Sequence, residues 1–240
     1  KELRAGSPEM LADMLKPFAE LKHTIMYLGP MDVEPFKELI AKEHKMADEP
    51  KVVVAEKKYA LQETQQNEVV IAPYDAKNIY LMQIHNENKP WTADSEPIVT
   101  LFNEYFGGGM NTIVFQELRE ARGLAYSASA WYNTPSVKED PEWYYTNIIS
   151  QNDKMMDCIS VFNNILDEMP QSENAFNVAK QALTKSLESR RTTRFSVLYK
   201  YLSNQYLGID YDINEKIYNA LPNLTLKDIV EFEKQNMAKK

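Results

Sequence analysis

Two side chains seven residues apart, Arg119 and Tyr126, offer the most chemistry in this sequence. Arginine is a permanent cation whose planar fork grips a peptide carbonyl or a carboxylate, and a tyrosine hydroxyl can donate to an oxyanion developing on a scissile carbonyl. The residues between them allow the two to meet. A helix ending near Arg122, with Gly123 in the left-handed position that closes many helices, reverses the chain and sets a last-turn side chain beside an early strand side chain. A plainer arrangement uses the same residues: Arg119 and Arg122 complement the negative helix end, and Tyr126 lies in a sheet face with Ala128, Ala130 and Tyr132. The local pattern accommodates both.

Metal and thiol chemistry find little support. The three histidines are His23, His44 and His85, none with a second histidine four residues away, so the H-x-x-E-H arrangement of a zinc hydrolase is missing. Glu43-His44 and His85-Asn86-Glu87 read as solvated pairs at the ends of elements. Cys158, the single cysteine, sits in an apolar helical pattern and reads as a small buried hydrophobe, with no disulfide or cysteine cluster open to it. No metal is expected on this chain. Gly107-Gly108-Gly109 follows a helical pattern, lacks the G-x-G-x-x-G spacing and has no GK[ST], which argues against a phosphate cradle. Arg190, Arg191 and Arg194 read as a solvated helix end.

The elements that must position these residues follow from periodicity. Lys1 to Leu21 has helical spacing interrupted by Pro8 and Pro17, Thr24 to Gly29 reads as a short strand, and Pro35 to Ala47 reads as a helix. Asp48-Glu49-Pro50-Lys51 has the composition of a linker. Two strands are expected at Asn67 to Pro73 and Lys77 to His85, joined by the turn Pro73-Tyr74-Asp75-Ala76. Ile98, Leu101, Phe102 and Tyr105 share one helical face leading into the glycines, and strands follow at Leu124 to Tyr132 and Glu142 to Ser150.

The last third is helical. One run carries Met155, Ile159, Phe162 and Leu166, and a second carries Phe176, Ala179, Leu183 and Leu187. Shorter helices are expected at Phe195 to Tyr206, Asp212 to Asn219 and from the Thr225-x-x-Asp228 cap. Strands first, helices between strand pairs and a helical tail predict an α+β fold: an antiparallel sheet with helices packed on one face.

Charge excludes one class of partner. Lys and Arg number 27 against 35 Asp and Glu, and the resulting net charge of -8 repels phosphate backbones, so no nucleic-acid partner is expected. No apolar run approaches the ~20 residues of a membrane-spanning helix, so no membrane span is expected. No basic-then-apolar leader opens the chain, which leaves the compartment open.

Phe115, Leu118, Arg119, Gly123, Leu124 and Tyr126, with the glycines before them, resemble the pitrilysin superfamily of inverzincin zinc metallopeptidases. That family includes insulin-degrading enzyme and the mitochondrial processing peptidases, and the resemblance is to its substrate-side domain, the one without the zinc motif. Ala125 stands where several relatives have glycine, and weaker similarity runs from about Val52 to the C-terminus. The resemblance implies that residues 1–55 are the closing strand and helix of a preceding domain plus a linker, and that 56–240 form the pitrilysin-like domain.

It further implies that Arg119 and Tyr126 bind substrate and support the tetrahedral intermediate, and that Gly107, Gly108 and Gly109 form a mobile, substrate-facing loop. Zinc belongs to the parent enzyme and is bound outside this chain. The expected partners are the zinc-bearing half or subunit and a peptide substrate, and the chain alone should be inactive. The same family also contains non-catalytic structural or assembly subunits, such as the core proteins of the respiratory cytochrome complex, and that alternative stands beside the peptidase reading.

Overall fold

The structure, a computed structural model, describes residues 6–52 and 59–240. The expected boundary at 55/56 and the first residues of the expected opening helix lie outside the described residues. Two compact units are present: Lys1–Tyr59 with Thr193–Tyr199, and Ala60–Thr192 with Lys200–Lys240.

In the first unit, helix α1 (Pro8–Leu15) starts where the Ser7 side chain accepts from the Met10 amide, with proline in the first turn where its missing N–H costs nothing. It runs into a 3-10 turn, Lys16–Glu20. Helix α2 (Val33–Glu43) follows, with His44 as its C-cap. Thr24 to Gly29, expected as a strand, is irregular, and a parallel bridge between Leu21 and Lys51 lies beside it. Residues 24–29 are exposed or half-exposed in this chain, and no strand pairs with them among the described residues.

The second unit holds a three-stranded antiparallel sheet in the order β1-β3-β2, formed by β1 (Asn78–Pro90), β2 (Ala125–Asn133) and the central β3 (Pro141–Gln151). Alternation along β3 defines two faces: Glu142, Tyr144, Thr146, Ile148 and Ser150 are buried, while Trp143, Tyr145, Asn147 and Ile149 are half-exposed. The buried face carries the helices. Helix α3 (Glu96–Phe106) presses Val99, Leu101, Phe102, Tyr105 and Phe106 into the core. Helices α5 (Met155–Asp167), α6 (Glu173–Ser189), α8 (Ile213–Ala220) and α9 (Leu226–Asn236) add Phe162, Phe176, Ile217 and Phe232. A short helix α4 (Ile113–Phe115) precedes β2, and α7 (Arg194–Leu207) precedes α8. The α+β architecture with helices on one face of an antiparallel sheet is the one expected.

One strand is not. Asn67 to Pro73 is irregular, with Val69, Val70 and Ile71 82–85% exposed, while β1 runs on past its expected end to Pro90. A β-branched run becomes a strand only when a partner accepts its backbone bonds and a neighbour covers its side chains, and among the described residues neither reaches this segment. No helix among the described residues is long and apolar enough to cross a membrane.

Candidate functional site

The glycine turn is set by close approach between α3 and β2. A Cβ on Gly107 would lie 2.2 Å from the Ala130 carbonyl oxygen and 2.6 Å from its nitrogen, and one on Gly108 would lie 2.7 Å from the Asn103 carbonyl oxygen. The Ala130 amide donates to the Gly107 carbonyl at 3.2 Å. The Asn103 side chain behaves like an extra strand residue: its amide donates to the Tyr132 carbonyl at 2.9 Å and its oxygen accepts from the Tyr132 amide at 2.8 Å. Gly107 and Gly108 are thus fastened to the sheet. Open space begins at the next residue, since a Cβ on Gly109 would touch nothing within 4 Å and Met110 is 71% exposed.

The chain then re-enters helix at Thr112, whose hydroxyl donates to the Gly109 carbonyl at 2.6 Å. After α4 the helix widens into a π turn, Gln116–Glu120, with the Ala121 amide bonded to the Gln116 carbonyl at 2.8 Å. Such turns occur mostly as single-turn insertions in helices, frequently at functional sites. The expected regular helix is therefore shorter and partly π-helical. Its end is as expected: Gly123 has φ +57°, its amide donates to the Arg119 carbonyl, and the Leu124 amide reaches the Leu118 carbonyl, both at 2.9 Å.

Beyond Gly123 the strand begins with an irregularity. Ala125 pairs with Ser150 and Ser127 with Ile149, leaving Tyr126 as an extra residue between them. A bulge of this kind breaks the two-residue alternation and re-aims a side chain. Ala125, Ala128, Ala130 and Tyr132 are buried, whereas Tyr126 is 72% exposed. The plainer arrangement, with Tyr126 among those residues in the sheet face, is thereby corrected.

Arg119 lies beside it. Its guanidinium carbon is 5.7 Å from the centre of the Tyr126 ring and 4.9 Å from that of Phe115, within cation–π range, and its Nε makes a loose 3.6 Å contact with Glu120. Arg122 is instead committed to its own helix, bonding both the carboxylate and the carbonyl of Glu117. The arrangement offers a half-exposed cation and an exposed phenol on one surface, suited to gripping a peptide carbonyl or carboxylate.

A buried polar cluster was not legible in the sequence. Glu142 is 1% exposed, accepts from Ser95 Oγ at 2.7 Å and from the Tyr132 hydroxyl at 3.0 Å, and lies 3.0 Å from Lys89 Nζ, which also donates to Asn236 at 2.8 Å. Burial first, then the Glu142 carboxylate, pushes the Tyr132 phenol upward, so it stays a donor. These residues come from five elements and lock the helices onto the sheet. Nearby, burial pushes the Tyr144 phenol up to about 12. Among the described residues no group of three or more His, Cys, Asp or Glu could hold a metal, although His23 Nε2 and His44 Nε2 lie 2.7 Å apart.

Residues 22–183 match the family described as the peptidase M16 inactive domain. The chain belongs to that family. Within the M16 inactive domain match lie the glycine turn, Arg119 and Tyr126. A curated relative, the non-peptidase homolog YmxG of Helicobacter pylori, is 26% identical over 131 residues, covering 53% of this chain and 30% of its own length. A crystal structure of an M16 inactive domain from Pseudomonas fluorescens superposes with TM-score 0.56 at 16% identity, over 68% of this chain and 39% of that one. The periplasmic protease PqqL of Escherichia coli gives TM-score 0.62 at 14% identity, over 86% of this chain and 23% of PqqL. At such identities the two structures establish the pitrilysin-like fold. The chain spans well under half the length of each of these relatives.

Proposed function

We propose that the chain is the non-zinc part of an M16 peptidase, facing the zinc-bearing half or subunit and binding extended peptide through Arg119 and Tyr126. The observation that carries this reading is the bulge that turns Tyr126 outward beside Arg119. In that role Arg119 grips a carbonyl or carboxylate of the bound peptide, and the Tyr126 hydroxyl donates to the oxyanion formed when water, activated by zinc in the other half, attacks the scissile carbonyl. The exposed Gly109-Met110 tip is the part of the glycine turn able to meet the peptide. In that division of labour the zinc is held by the H-x-x-E-H of the other half or subunit.

The test is steady-state kinetics on the complete enzyme. Tyr126→Phe is expected to lower kcat roughly a hundredfold, about 3 kcal/mol, with KM little changed. Turnover within about twofold of the parent at unchanged stability would remove the catalytic role. A second reading, a non-catalytic structural or assembly subunit, is supported by the non-peptidase relative. In that case the parent polypeptide and its partners together carry no H-x-x-E-H, and the full assembly cleaves no peptide.

A further inference from the structure

The first unit has a feature that the peptidase reading does not use. His23 and His44, 21 positions apart, point their Nε2 atoms at one another across 2.7 Å, with the rings perpendicular and their centres 4.9 Å apart. His23 Nδ1 lies 2.8 Å from the Leu21 carbonyl, which can only accept, so Nδ1 carries a proton, and between the rings one Nε2 donates to the other. The backbone carbonyl thus fixes one imidazole in the tautomer and orientation that metal-ligating histidines adopt.

Position and surroundings favour a cation at this point. His44 is the C-cap of α2, its amide bonded to the Ile40 carbonyl at 2.8 Å, so its side chain sits at the negative end of an eleven-residue helix. Both side chains are exposed and can swing. A tetrahedral ion at ~2.0–2.1 Å from each nitrogen needs them about 3.3 Å apart, a widening of roughly 0.6 Å accompanied by a tilt of each ring toward a shared apex. The ion takes the place of the proton held between the two Nε2 atoms, which passes to the free ring nitrogen or to solvent.

We propose that His23 and His44 form a two-histidine surface site for a borderline divalent transition ion of the Zn2+, Ni2+ or Cu2+ class, clipping the segment after the 3-10 turn to the C-terminal end of α2. Imidazole suits these ions. Among the described residues no third His, Cys, Asp or Glu completes a cluster, so water fills the remaining positions and exchange is fast. The assignment rests on these two side chains and stands whether or not the peptidase reading does. It departs from the expectation that this chain binds no metal.

Calorimetric titration of the purified chain with NiCl2 and with ZnCl2 tests it. One ion per chain is expected, with micromolar affinity, and His23→Ala or His44→Ala should each weaken it by about tenfold or more. His85→Ala, which removes the remaining histidine, should leave binding unchanged. X-ray absorption on the Cu2+ form should report two imidazole nitrogens, and the ion should slow hydrogen exchange at the Lys22 to Thr24 and Ile40 to His44 amides. Failure of the wild-type chain to saturate, retention of full affinity in either single variant, or an equal loss in His85→Ala would each overturn the assignment.

Discussion

Tyr126 owes its exposure to one extra residue in β2, and its proposed role can be separated from that of Arg119 by kinetics. A hydroxyl that meets charge only in the transition state acts on the chemical step, whereas a cation engaged with the bound peptide acts before it. In the complete enzyme Arg119→Ala should therefore raise KM and lower kcat together, while Tyr126→Phe lowers kcat alone. A second residue, Glu233 on α9, makes a pH-dependent contribution to stability. It is 1% exposed, its Oε1 has no hydrogen-bond partner among the described residues, and burial, opposed by Lys234 and assisted by Asp167, raises its carboxyl to about 7. The folded state therefore holds this proton more tightly than the unfolded chain, whose value is near 4.5. Stability from this group is fully present below about pH 4.5 and falls as pH rises through about 7. Glu233→Gln should stabilise the chain by about 2–3 kcal/mol at pH 8, and the gain should shrink toward pH 5, as measured by denaturant unfolding across that range.

At the scale of elements, the turn between α3 and α4 decides whether β2 can lie against the helix. Gly107→Ala places a methyl against the Ala130 backbone, which cannot move without unpairing β2 from β3, and should cost about 2–3 kcal/mol. Gly109→Ala, facing open space two residues on, should fall within about 0.5 kcal/mol of the parent, and equilibrium unfolding of the two variants side by side measures the contrast. The helical side of the fold was readable because its determinants are local. Gly123 takes its left-handed conformation, and the Thr225 side chain and the Asp228 carboxylate cap α9 reciprocally. The π turn was not readable, because the five residues Gln116–Glu120 are ordinary helix formers and nothing in their types distinguishes a π from an α turn.

For the whole molecule, the sheet has a covered face and an open one. Tyr80, Met82 and Ile84 on β1 are 50–63% exposed, and β1 is an edge strand because residues 67–73 do not pair with it. Limited proteolysis should therefore cut first in the exposed Val69 to Ile71 stretch and leave β2 and β3 intact, with the fragments identified by mass spectrometry. Early cleavage within 125–151 would contradict this arrangement.

The sequence by itself determined the α+β class, the order of most elements, the core helices and the arginine–tyrosine spacing, because two-residue and helical periods, caps and a left-handed glycine are set by neighbours a few positions away. Tertiary structure decided the rest. Whether Val69 to Ile71 pair depends on an edge that sequence does not display, and the side to which Tyr126 turns depends on its register against Ser150 and Ile149. The Ser95, Tyr132 and Glu142 cluster and the meeting of His23 with His44 join residues separated by stretches whose path no local rule specifies. Long-range contacts form where the packed chain brings polar groups out of water together, and that is a property of the fold as a whole.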